Sequence, residues 1–461
     1  MPPLPMTSPL LMQPFTRPVV ATVPLPGSKS ITNRALILAA LSDGTITLTN
    51  ALFSRDTRIM LAALHELGFT VAADAHAHTI TVAGCSGKIP RARATIHVGN
   101  AGTAARFLTA LLALHPDGEY MLDGDDAMRA RPMAGLLSAL AAQGATATAP
   151  DGTAASAFPF TLRTRGLRGG EIVVDATASS QLLSALLLVA PLAQTTATVR
   201  LAGETVSAPF VTMTLRMLAT FGREAVSPEP GTHIFENCGP YRTPGAFYAI
   251  APDATAASYF LALPIAAPAT VRVDGLSDDG LQGDTAFAAL LQNTGVRVRD
   301  TATGKTAEPP AGAASGGEYD FNAISDTFLT LAALAPLLMT PLTIYGIAHA
   351  RKQETDRVLA VAIELEKLGQ RVSPTSAELR ADTTLGSITI FPDHAAMRHL
   401  TAAAPIRIRT YDDHRMAMSF AILGSHDLHG DGRGWLAIED PGCCGKTFPD
   451  FFDVLAAVRR A

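Results

Sequence analysis

At 461 residues the chain exceeds the size at which one hydrophobic core stops growing, so two domains are expected. A formal charge of −5, with 17% charged and 6% aromatic residues and Trp435 as the single tryptophan, argues against a general nucleic-acid or anionic-membrane binder, which needs a basic surface or a stacking platform. The four cysteines, Cys85, Cys238, Cys443 and Cys444, form no C-x-x-C pattern, which argues against a zinc site and a disulfide framework and favours a reduced, cytoplasmic setting.

The first residues, MPPLPMTSPLLMQPF, lack a basic n-region and are broken by prolines, so they do not read as a secretory signal. The longest apolar run, Leu182 to Ala193, is about 12 residues interrupted by Pro191, against roughly 20 for a membrane span. A soluble protein is expected.

In chain order, six helix-start signals are each followed by an apolar helical run and then a β-like run. The starts read PGSKSITNRALILAALSDG at Pro26, GNAGTAARFLTALLAL at Gly99, SSQLLSALLLVAPLA at Ser179, DATAASYFLALPIAAP at Asp253, SDTFLTLAALAPLL at Ser325 and DDHRMAMSFAILGS at Asp412. Each offers Ser, Asp or Asn as an N-cap before a Leu/Ala/Phe stripe. The strands that follow are GTITLTN at Gly44, GEYMLDG at Gly118, TTATVRLAG at Thr195, APATVRVDG at Ala267, TPLTIYG at Thr340 and GWLAIED at Gly434. The spacing suggests six mixed α/β units, three before and three after the Gly/Pro-rich stretch Gly239 to Asp253, the best candidate crossing between domains. Residues 301–318, TATGKTAEPPAGAASGGE, read as a low-complexity surface excursion.

Helix N-termini carry unsatisfied N–H groups and partial positive charge, so several gathered around one cavity make an anion site. Lys29 and Arg34, Arg106, and His414 with Arg415 lie in the first turns of these starts, which points to a highly anionic small substrate. PGSKSITNR is not a Walker A, since Lys29 follows Ser28 where that motif needs glycine. It still sets Ser28, Lys29 and Ser30 at a helix start, although a capped helix with solvated charges is the ordinary alternative. In GNAGTAARFL, glycines beside Asn100 and Thr103 let the backbone approach a ligand closely. In ARKQETDR, Glu354 and Arg357 sit three apart and are neighbours if helical, and Asp413, His414 and Arg415 are consecutive at another helix mouth.

Together these segments resemble the 5-enolpyruvylshikimate-3-phosphate (EPSP) synthase family over nearly the whole chain. LMQPFTRPVVATVPLPGSKSITNRALILAAL matches its opening, GNAGTAARF its glycine motif, ETDR and DDHRMAM its later motifs and DPGCCGKTFPDFF its carboxy-terminal signature. The resemblance implies a two-domain inside-out α/β barrel of six βαβαββ-type repeats, three per domain. Residues 27–245 would form one domain; residues 1–26 and 246–461 would form the other, the amino-terminal strand pairing with the carboxy-terminal half. It implies transfer of the enolpyruvyl group of phosphoenolpyruvate to the 5-hydroxyl of shikimate 3-phosphate through a tetrahedral ketal, with no metal or organic cofactor, by a cytoplasmic monomer with no nucleic-acid or membrane partner.

By the same resemblance Asp326 and Glu354 are the acid/base pair, with Lys29 beside them. Lys29, Gly102, Thr103, Arg131, Arg357, Arg415 and Lys446 surround phosphoenolpyruvate; Lys29, Ser30, Arg34, Ser179, Ser180, Gln181, Ser207, Asp326 and Gln353 hold shikimate 3-phosphate. Asn100 and His414 belong to the same motifs. The chain departs from the family pattern at Gln353, which follows Lys352 where Lys or His is usual before the glutamate, and at His349, Phe210 and Phe107, where Asn, Tyr and Pro are usual. The sister family that uses a UDP-amino sugar usually carries a reactive cysteine before its Arg-Pro element, and Asp123 to Pro132 contains none. A catalytically silent anion-binding protein on the same scaffold is the other alternative, opposed by the presence of all these charged residues.

Overall fold

A computed structural model describes residues 9–203, 207–236 and 238–461. The chain divides into two compact units, Gly27–Ala251 and residues 9–26 with Pro252–Ala461. The break falls between Ala251 and Pro252 rather than at residue 245, because Phe247–Ala249 is a strand that pairs in parallel with Thr45–Thr49 of the first unit. The complementary exchange puts Val19–Val23 in parallel register with Ala269–Asp274 of the second unit, where Leu10–Leu11 also pairs, antiparallel, with Leu436–Ile438.

All six expected helices form: Lys29–Ala40, Gly102–Leu112 and Ser180–Leu187 in the first unit, Ala254–Ala266, Phe328–Leu334 and His414–Leu423 in the second. Their sequences are apolar nearly all round, which is the pattern of a helix enclosed on every side. Every residue of Gly102–Leu112 and of His414–Leu423 is buried. Each unit wraps three sheets around its three inner helices. In every sheet the strand that follows the inner helix has a parallel neighbour on one side and an antiparallel one on the other, as Gly118–Asp123 has between Arg93–His97 and Phe160–Thr164. Five of these six strands alternate, Leu436–Ile438 being buried throughout. Tyr120 and Leu122 are buried while Met121 between them faces outward, the period-two pattern of a sheet with one face on a core.

The expected excursion at 301–318 is corrected in part. Gly304–Glu308 is a strand hydrogen-bonded on both sides, to Ala269–Asp274 and to Arg297–Thr301. Its polar composition hid it: Lys305 is buried because its ammonium reaches Asp278 at 2.5 Å and Asp300 at 2.6 Å. Among the described residues no helix is long and apolar enough to cross a membrane.

Candidate active site

In the first unit the starts of the inner helices lie side by side. Gln181 Nε2 donates to Thr103 Oγ1 at 3.5 Å, joining the mouths of the Ser180 and Gly102 helices. Ser179 caps the Ser180 helix through the N–H of Gln181 at 3.3 Å, and Ser180 itself is buried. Ser28 caps the Lys29 helix through the N–H of Ile31. That entry turn needs glycine at 27, since a Cβ there would stand 1.9 Å from Asn50 O. Lys29 is partly exposed beside Asp56, Nζ to Oδ2 3.6 Å.

Arg34 is the unusual cation of this unit. Its guanidinium is buried and donates to Thr214 Oγ1 at 2.8 Å, the backbone oxygens of Ser30 and Phe210 at 3.0 and 3.1 Å, and Ser184 Oγ at 3.3 Å. The Phe107 ring lies 5.1 Å from it, so Phe107 serves as an apolar platform for the charge. No carboxylate bonds to Arg34 among the described residues, and burial pushes its pKa down to about 9. A buried cation without a counter-charge is costly and calls for an anion.

The Gly102 helix begins under Arg131. The expected N-cap at this start is not found: Ala101 precedes the helix and makes no side-chain cap bond, while Asn100, buried, accepts the Gly102 N–H through its backbone oxygen at 3.1 Å. Arg106, one turn into the helix, does not reach outward either. It fastens the loop that carries Arg131, donating to Gly102 O at 3.3 Å, Met128 Sδ at 3.3 Å and Pro132 O at 3.0 Å. Ser207 is buried in a left-handed conformation, φ 54°; its neighbours 204–206 lie outside the described residues.

The second unit holds a network of alternating charges. Arg357 Nε bonds Asp413 Oδ2 at 2.8 Å, Nη2 bonds Glu354 Oε2 at 2.8 Å, and Nη1 bonds Asp326 Oδ1 at 3.1 Å and the side-chain oxygen of Gln353. Arg415 Nη2 takes the other oxygen of Asp326 at 2.6 Å, and Lys446 Nζ takes the other oxygen of Glu354 at 2.9 Å. Each of the two motif carboxylates therefore sits between two cations. Burial works against the charge on Arg357 and Arg415, yet the surrounding carboxylates, Asp413 and Glu354 for the first and Asp326 for the second, outweigh it and hold both pKa values above the ordinary arginine value.

Local structure explains the placement. Glu354 and Arg357 are neighbours although they share no helix: the helix starts at Arg357 with Asp356 as its cap, and Glu354 lies in the bend before it. Lys352, next to the Gln353 departure, is exposed. Asp326 precedes the Phe328 helix, whose N-cap Thr327 makes no side-chain cap bond. The second expected cap is thus also absent, because Asp326 is engaged by arginines and Ser325 Oγ meets His349 Nε2 at 2.8 Å. Burial keeps that imidazole below its usual pKa despite Asp326. His414 is wholly buried, and Asp413 caps its helix through the Arg415 N–H at 2.9 Å.

Two groups escaped the sequence reading. Asp413, noted only as a neighbour of His414, is the buried anchor of Arg357; the signal was its place as N-cap at DDHR. Asp284 accepts from Thr255 Oγ1 in the interior, and burial together with the charge of Asp326 raises its pKa to about 7. Nothing in its local sequence sets it apart.

A family model described as EPSP synthase (3-phosphoshikimate 1-carboxyvinyltransferase) matches residues 15–455. The chain is 49% identical over 460 residues to 3-phosphoshikimate 1-carboxyvinyltransferase of Opitutus terrae, covering 99% of each sequence. It is 40% identical over 438 residues to the enzyme of that name from Nostoc punctiforme, covering 95% of this chain and 96% of the other. Among solved structures it is similar in fold to EPSP synthase from Acinetobacter baumannii, with TM-score 0.75, 21% identity and 98% of both chains covered. It is similar also to the enolpyruvyl transferase NikO from Streptomyces tendae, with TM-score 0.70, 18% identity and coverage of 98% and 97%.

Proposed function

Because the chain belongs to the EPSP synthase family, we propose that its two polar clusters carry out enolpyruvyl transfer from phosphoenolpyruvate to the 5-hydroxyl of shikimate 3-phosphate, with release of phosphate. The observation that carries this reading is the interleaving of Arg357, Arg415 and Lys446 with Asp326 and Glu354. Cations alone would suit any anion; carboxylates placed among them add proton transfer.

The reaction needs a proton on C3 of the enol as the hydroxyl attacks C2, and the return of that proton as phosphate leaves the tetrahedral ketal. Asp326 is the more exposed carboxylate, at 20% of its side chain against 10% for Glu354, and takes the proton of the acceptor hydroxyl. Glu354, bonded to Lys446, handles the C3 proton, and the lysine and arginines stabilise the departing phosphate. Arg357, Arg415 and Lys446, with Lys29, Arg131 and the Gly102–Thr103 helix start, hold phosphoenolpyruvate. Arginine suits both its phosphate and its carboxylate through paired hydrogen bonds.

Shikimate 3-phosphate is assigned to Lys29, Ser30, Ser179, Ser180, Gln181 and Ser207 with Gln353 and Asp326. Arg34, bonded to the backbone oxygen of Ser30, supplies a positive charge that no described carboxylate cancels. The four cysteines form no C-x-x-C pattern, and a reducing, cytoplasmic setting is part of the proposal. The test is phosphate release from phosphoenolpyruvate with either shikimate 3-phosphate or UDP-N-acetylglucosamine as acceptor. Turnover with the first alone is expected; turnover with only the sugar nucleotide would overturn the assignment.

A further inference from the structure

The helix Arg357–Lys367 carries two side chains, at positions i and i+7, that grip one short segment from the same face. At its start Arg357 holds Asp413, Nε to Oδ2 2.8 Å. Two turns on, Glu364 accepts the Tyr411 phenol at 2.7 Å on one carboxylate oxygen and the Arg409 backbone N–H at 3.2 Å on the other. Glu364 is fully buried and is also paired with Lys367.

The gripped segment is a β-turn, closed by the Asp413 N–H on Thr410 O at 2.9 Å. Both its central residues are left-handed, Tyr411 at φ 57° and Asp412 at φ 53°. A turn of this kind favours glycine or asparagine at both places, and a bulky tyrosine there persists only where its surroundings over-determine it. Glu364 supplies that constraint, and the Arg409 guanidinium adds to it, 4.9 Å from the centre of the Tyr411 ring.

The turn fixes where the next helix starts. Asp413 leaves it pointing at Arg357 and capping the His414 helix, and Arg415 then reaches Asp326 at 2.6 Å. A small rotation of the turn would move both arginine contacts at once. We infer that Glu364 and Tyr411 are positioning residues for the enolpyruvyl donor: without touching it, they clamp the Thr410–Asp413 turn so that Arg357 and Arg415 face one ligand. This rests on the assignment of those two arginines to phosphoenolpyruvate.

The test is steady-state kinetics on the full chain with each substrate varied in turn. Tyr411→Phe removes only the clamped hydroxyl; it is expected to raise KM for phosphoenolpyruvate about tenfold, the size of one hydrogen bond to a charged group, while KM for shikimate 3-phosphate stays the same. Tyr411→Gly relieves the left-handed backbone but also removes the clamp, so it is expected to raise the same KM at least as far. A merely structural turn would instead be indifferent to glycine or improved by it. Arg415→Lys is the control. If it leaves KM for phosphoenolpyruvate unchanged, the assignment of the arginines fails and this inference with it. If Arg415→Lys raises that KM and the Tyr411 variants do not, or if they raise both KM values equally, the positioning role alone is overturned.

Discussion

Gly102→Ala adds one methyl group at the mouth of a helix and offers a measurable test of how Arg131 is held. A Cβ built on Gly102 would lie 2.6 Å from Arg131 Nη1, 2.7 Å from Nη2 and 2.8 Å from Cζ. Ordinary contact begins near 3.4 Å, so the guanidinium must retreat by roughly 0.8 Å. The backbone beneath it cannot follow, because Arg106 ties Pro132 O and Met128 Sδ to this same helix and the Arg131 N–H is bonded to Met128 O at 3.0 Å. The side chain must therefore swing away. Loss of one charge-assisted hydrogen bond to a ligand corresponds to about 1.5–3 kcal/mol, or on the order of 10- to 100-fold in affinity. Initial rates at saturating shikimate 3-phosphate should show KM for phosphoenolpyruvate raised by that factor with kcat little changed. The refuting result is a cycle with Arg131→Ala: if Gly102→Ala keeps its full effect after the guanidinium is gone, the methyl group acts elsewhere.

Asp326→Asn and Glu354→Gln should each lower turnover by about 100-fold or more while substrate binding survives; near-normal turnover in either removes that residue from proton transfer. Asp284 has a folded pKa raised to about 7 by burial and by Asp326, so the folded state holds its proton more tightly than the unfolded chain. Its contribution to stability is present at low pH and is lost as pH rises through about 7. Asp284→Asn lacks that loss, so the variant's Tm relative to the parent should be higher at pH 8 than at pH 5, and an equal difference at both would refute the assignment. Exhaustive EDTA treatment should leave activity intact, since the cationic work falls to arginine and lysine; loss restored by a divalent ion would reveal a metal requirement.

The six helices were legible because each carries a Leu/Ala/Phe run behind a helix-start signal and is followed by a β-like run, two signals that depend on local sequence. Ser28, Ser179, Asp253 and Asp413 act as side-chain N-caps where a cap was expected. The starts before Gly102 and before Phe328 have no side-chain cap. At the second, Asp326 gives up capping to stand between Arg357 and Arg415. Local rules fail where a site needs the same residues for something else. Composition likewise misjudged the strand Gly304–Glu308, since nothing local announces that Lys305 will be neutralised by Asp278 and Asp300.

What sequence could not supply was the division of labour among cations. Lys29, Arg34, Arg106, Arg357 and Arg415 all sit near helix starts and look alike in the sequence. In the fold, Arg106 bonds to a loop, Arg357 is enclosed by carboxylates and Arg34 is buried with no carboxylate bonded to it among the described residues. Their partners come from residues distant in the chain: Arg34 is 180 positions from Thr214, Arg357 is 56 from Asp413 and Arg415 is 89 from Asp326. The two arginines of the second unit arrive already neutralised, so an incoming anion must compete with Asp326, Glu354 and Asp413 for their N–H groups. Arg34 meets no such competition among the described residues. The acceptor site around Arg34 should therefore hold its anion in the resting protein more readily than the donor site does, and isothermal titration should find shikimate 3-phosphate binding alone, with phosphoenolpyruvate binding weakly until it is present. Tight binding of phosphoenolpyruvate to the free protein would show that the carboxylates yield their arginines without cost, and would refute this ordering.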